Sequence, residues 1–176
     1  MAFGLDAALK PAPELVWRAL ADSVGGTFQP GDFWTPDRLV LVCAPWTLTL
    51  EQTAVAAPLT LASATFFPKT PFRLRLLRGE FLRPLSGIDL APLDAHGPAF
   101  FGTSRLTASD PDLARQLFSR TALRSQLVAE PHLALDISHG QLRLTLGGHV
   151  HETDRLVALL TLSAELLHRL SELDVA

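Results

Sequence analysis

The segment from Thr153 to Leu173 constrains the fold more than any other. Leucine stands at 156, 159, 160, 166, 167, 170 and 173, positions that gather on one side of a helix turning ~100° per residue. Val157, Leu162 and Ala164 widen that side to about half the circumference, whereas a helix lying on a single sheet needs a narrower stripe. The pattern predicts a long C-terminal helix that is either deeply buried or pressed against a second partner. Leu159 and Leu166, in the middle of the stripe, are the expected contact residues of that surface.

The sheet under such a helix comes from short alternating segments. Arg38–Ala44 is an apolar run closed by Pro45. Thr47–Thr53 sets Leu48 and Leu50 on one face and Thr47, Thr49 and Glu51 on the other. Leu59–Phe67 and Phe72–Leu77 follow. The short turns between them favour antiparallel pairing. A loop over 84–98 holds three prolines and two glycines, and Ala99–Leu106 is a further strand. His132–Ile137 and Gln141–Leu146 form a hairpin whose turn is Ser138-His139-Gly140.

Two more helices frame these strands. Pro13–Val24 opens with a proline suited to the first turn and an acid, Glu14, at the positive end of the dipole. It stops at Gly25-Gly26. A middle helix is capped by Ser109 or Asp110, carries Pro111 and Asp112 in its first turn, and runs through a bend to Glu130 before Pro131. The order α-ββββ-(β)-α-ββ-α predicts a single α+β domain over 1–176 with a mostly antiparallel sheet.

Composition narrows the function. Hydrophobic residues make up 48% of the chain and the net charge is −3, so no global attraction to nucleic acid or acidic membranes follows. There is no tyrosine, and the aromatics do not interleave with basic runs as stacking platforms would. No nucleic-acid partner is expected. A single cysteine, Cys43, excludes an intrachain disulfide and reads as a small buried hydrophobe. The N-terminus lacks a signal-peptide pattern, and the apolar runs fall short of the ~20 residues a membrane span needs. Arginine outnumbers lysine 13 to 2, a usage associated with GC-rich bacteria. The expectation is a soluble bacterial cytoplasmic protein with no membrane association.

Three constellations compete for function. His149 and His151 flank one valine, so on extended chain both imidazoles share a face. With Asp154 they could ligate a metal, which would make the chain a metal-dependent or small-molecule enzyme. The competing reading is a strand-to-helix joint, with Thr153 or Asp154 as N-cap. Arg73 and Arg75 share a strand face opposite Phe72, Leu74 and Leu76 and could hold an anion, or serve as the solvated face of a half-buried strand. Trp17, Trp34 and Trp46 read as core or loop anchors. The chain has no nucleophile elbow and no glycine-rich phosphate loop, so the reading leans away from catalysis and implies no cofactor.

Residues 99–146, from AFFGTSRLTASDPDLARQLFSRTALRSQL into LALDISHGQLRL and then a leucine-rich terminal helix, resemble uncharacterised bacterial proteins of the DUF3137 type, domains of unknown function. The resemblance is one of hydrophobicity and turns, and it carries no catalytic residues. The favoured function is a non-catalytic module that binds another protein or forms a homodimer. Small dimeric secretion chaperones offer a loose fold-level analogy.

Overall fold

The buried positions of the central strands fall into straight rows that cross several neighbouring strands. The computed structural model describes residues 13–32, 35–53, 57–82 and 104–176. Within them the chain runs α1 (Pro13–Val24), β1 (Thr27–Gln29), β2 (Arg38–Cys43), β3 (Trp46–Thr53), β4 (Leu59–Thr65), β5 (Leu74–Arg78), a 3₁₀ turn (Gly79–Leu82), β6 (Ser104–Ala108), α2 (Pro111–Leu117), α3 (Thr121–Ala129), β7 (Leu133–Ser138), β8 (Gln141–Gly147) and α4 (Thr153–Glu172). The strands form one sheet in the order β1-β2-β3-β4-β8-β7-β5-β6, with every pairing antiparallel. This is the α+β architecture and element order expected from the sequence. The predicted loop over 84–98, residues 99–103 of the predicted Ala99–Leu106 strand, and Trp34 lie outside the described residues.

Local chemistry fixes the element ends. Gly25 takes φ +68°, and the N–H of Gly26 donates to Ala21 O at 2.8 Å, which satisfies an orphan carbonyl of α1. Asp110 accepts from the N–H groups of Asp112 and Leu113 at 2.9 and 3.0 Å and so caps α2. The β7–β8 hairpin turns on two residues, His139 (φ +50°) and Gly140 (φ +73°), both left-handed as a type I′ turn requires. The predicted middle helix divides at Phe118–Arg120 into α2 and α3. Arg78 reaches from β5 to finish α3, its Nη1 donating to the carbonyls of Leu127, Val128 and Glu130 at 2.6, 2.9 and 2.9 Å.

All four α-helices lie on one face of the sheet. A row from Leu106 through Leu76, Leu135, Leu144, Ala62 and Leu50 to Leu39 faces them, and each member is buried. α4 lies across β3, β4 and β8, while α1, α2 and α3 flank it. The apolar width of α4 is thereby filled from the sheet and from three neighbouring helices. This corrects the expectation that Leu159 and Leu166 form an intermolecular surface. They are 3% and 0% exposed, and they lie in the chain's own core.

Charged clamps hold the helical layer in register. Arg120, at the α2–α3 junction, donates to Glu165 at 2.9 Å and to Glu172 at 2.8 and 2.9 Å. Arg169 donates to Glu172 at 2.5 Å and also to Gln116 O and Ser119 Oγ, each at 3.0 Å. At the other end of α4, Arg155 grips Glu130 through Nε and Nη2 at 3.0 and 2.6 Å.

Candidate binding face on the open side of the sheet

The strand–helix joint at 148–152 is built by a buried threonine. Thr60 is fully buried on the core side of β4. Its hydroxyl donates to Gly148 O at 3.0 Å and accepts from Val150 N–H at 3.0 Å. Gln52 Nε2 donates to Val150 O at 2.7 Å. These bonds draw Val150 inward, to 2% exposure, so alternation turns His149 and His151 outward. Their rings meet edge to face at 6.2 Å between centroids, and His149 Nε2 lies 3.1 Å from Thr53 O. Among the described residues no three His, Cys, Asp or Glu side chains converge as a metal shell, so Asp154 does not complete one with these two imidazoles. The residue at the cap of α4 is Glu152 rather than Thr153 or Asp154, and it makes no side-chain cap bond. Hydrogen bonding to backbone N–H groups holds the Glu152 carboxyl below the usual glutamate range.

The arginines of β5 do not act as a pair. Arg73 precedes the strand and is exposed; its N–H and C=O bond to Ser109. Arg75 points to the side of the sheet away from the helices and donates to Asp136 Oδ2 through Nε and Nη2, at 2.9 and 2.7 Å. Ser138 Oγ donates to the other oxygen of Asp136 at 2.7 Å. The carboxylate that answers Arg75 is therefore supplied by the chain itself.

Arg75 belongs to a polar row that crosses the whole sheet. Register places Thr107, Arg75, Asp136, Arg143, Ser63, Thr49, Val40 and Thr27 in line. A neighbouring row carries Arg105, Leu77, Ala134, Thr145, Leu61, Glu51 and Arg38. Among the described residues no α-helix packs on this side, and the 3₁₀ turn brings Phe81 to its β5–β7 end. Two grooves mark it. One, of about 210 Å³, is lined by Thr47, Thr49, Ser63, Thr65, Gln141 and Arg143. The other, of about 590 Å³, is lined by Leu59, Leu77, Phe81 and Ala134 beside Arg75, Asp136, Ser138, Arg143 and Thr145. Arg143 borders both.

The sequence reading passed over Arg143, although a signal for it was present. A two-residue hairpin turn at His139-Gly140 pairs Ser138 with Gln141, and period-2 counting then sets Asp136 opposite Arg143. Among the described residues four large apolar side chains are exposed: Val42 at 73% on β2, Phe67 at 95% just beyond β4, Leu15 at 60% on α1 and Val128 at 43% on α3. No residue in the described part belongs to a helix long and apolar enough to cross a membrane.

No protein-family model and no curated protein matches the chain. Among solved structures, the mycobacterial trehalose monomycolate transport factor A, TtfA, is similar at TM-score 0.67 and 10% identity, over 92% of this chain and 96% of that one. At that identity the likeness is one of fold.

Proposed function

We propose that this chain is a non-catalytic module that binds another protein, or a second copy of itself as a homodimer, through the sheet face that the helices leave open. The observation that carries the reading is the asymmetry of the sheet. One face is consumed by four helices with its leucines buried. The other presents polar rows, two grooves and the exposed Val42. An antiparallel sheet can leave one face to water, but a face with a groove lined by Leu59, Leu77, Phe81 and Ala134 is suited to a partner. The shared fold with a protein named as a transport factor is in keeping with an accessory rather than a catalytic role.

The test uses tagged chain carrying Val42→Asp on the open face or Ala158→Asp on the exposed side of α4. The reading expects a partner retained by wild type and by Ala158→Asp, and lost with Val42→Asp. Light scattering over a concentration range identifies the case in which that partner is a second copy. Equal retention by both variants would contradict the reading.

A further inference from the structure

The open face carries an unbalanced positive charge at its centre. Its strand positions hold four arginines (Arg38, Arg75, Arg105 and Arg143) against Glu51 and Asp136. Among the described residues these strand positions are therefore positive by two charges, in a chain whose net charge is −3. Both acids are already engaged: Arg38 pairs with Glu51 at 3.3 Å, and Arg75 with Asp136 at 2.7 Å. Asp136 stands directly opposite Arg143 in the ladder, but its two oxygens go to Arg75 and Ser138. Among the described residues no ion pair involves Arg143, which lies exposed on β8 between the two grooves.

The surroundings say what kind of anion suits it. An arginine fork matches a carboxylate through two parallel N–H donors. The hydroxyls of Thr47, Thr49 and Ser63 line the adjoining groove. The apolar contacts stand further off. Val42 lies on β2, three strands from β8, or ~14 Å at the usual strand spacing. Phe67 lies four residues beyond Ser63, the cross-strand partner of Arg143, or ~13 Å along the strand direction. β4 ends at Thr65, and beyond it Phe66 is buried while Phe67 is 95% exposed. A central cation with apolar anchors this far apart exceeds the reach of a small anion and fits a stretch of polypeptide.

We infer that the open face takes an acidic segment of another protein, with a carboxylate on Arg143 and flanking apolar side chains at Val42 and Phe67. The inference rests on the binding role proposed above and adds the chemistry of the partner. It replaces Arg73 and Arg75 as the anion-recognising pair, because Arg75 has its own carboxylate.

The test is fluorescence anisotropy with two labelled peptides, one alternating leucine with glutamate and the other with glutamine in place of glutamate. Wild type is expected to prefer the glutamate peptide by about tenfold at low salt, the range of one charge-assisted bidentate contact. The preference shrinks as salt screens an exposed pair. Arg143→Gln brings it to within about twofold, while Arg73→Gln leaves it intact, since exposed charges off the site contribute little. A wild type with no preference, or an Arg143→Gln variant that keeps it, overturns the inference. Tagged chain separates this failure from that of the broader reading. If Arg143→Gln keeps a partner that Val42→Asp loses, the acidic class is wrong and the binding role stands. If both keep it, the role falls as well. A captured partner that proves to be a second copy of this chain also overturns the inference.

Discussion

Asp136 and Arg143 face each other across β7 and β8, yet the Asp136 carboxylate is bonded on its other side to Arg75. One internal acid thus lies between two arginines and answers the one on β5. The Arg75–Asp136 pair is about a quarter exposed on each side, so its stabilisation is modest. Asp136→Ala is expected to lower unfolding free energy by about 1–2 kcal/mol, read as a lower urea midpoint. The same variant frees Arg75, and capture of the glutamate peptide should strengthen. Unchanged or weaker capture would argue against a face that recognises acids.

Leu166 and Glu172 lie on one helix and make opposite predictions. Leu166 is fully buried against the sheet and the flanking helices, so Leu166→Ala should cost about 2–5 kcal/mol. The loss should be independent of protein concentration, because the contact is internal. A melting temperature that climbs with concentration in wild type but not in the variant would place Leu166 at an interface instead.

Glu172 governs an acid-sensitive clamp. The hydrogen bond from Arg169 depresses its pKa most, with the charges of Arg120 and Arg169 adding to the effect. A carboxyl whose folded pKa lies below its unfolded value stabilises the fold above the unfolded value, and loses that contribution as pH falls through the folded one. The stability gap between wild type and Glu172→Gln should therefore hold steady near neutrality and close below about pH 4.5, the ordinary value from which Glu172 is lowered. Denaturant titrations at stepped pH measure it. A gap that widens in acid would mean that the clamp does not depend on the ionised carboxylate.

Thr60 ties the joint ahead of α4 to the sheet. Thr60→Val keeps the shape but strips the hydroxyl that bonds Gly148 O and Val150 N–H, leaving buried groups unsatisfied. The expected cost is about 1–3 kcal/mol, with faster amide exchange at Val150. Exchange at Val150 equal to wild type would show that the joint is held elsewhere.

These particulars also mark what the sequence could convey. α1 was legible to the residue, because Pro13 and Gly25-Gly26 act locally. The β7–β8 hairpin was legible to within one residue: its strands run Leu133–Ser138 and Gln141–Gly147, and Ser138, expected in the turn, pairs with Gln141 in the ladder. The placement of that hairpin between β4 and β5 was not legible, since pairing of distant strands leaves no local trace. β1 escaped notice because three residues show no periodicity and depend on β2 for their order. The leucines of α4 gave the width of its apolar side but not the number of neighbours filling it, so an internal contact was expected between molecules. At the site, Arg75 looked free because its partner Asp136 lies 61 residues further along the chain.

The claim on which the account turns is that the open face of the sheet meets a partner and the helical face does not. A photo-crosslinking residue at Thr47, exposed on the open face, and another at Ala158, exposed on α4, test it in the cells that make this protein. The account predicts a discrete adduct with another protein from Thr47, lost when Arg143→Gln is added, and none from Ala158. Adducts from Ala158 alone, or from both positions alike, would contradict it.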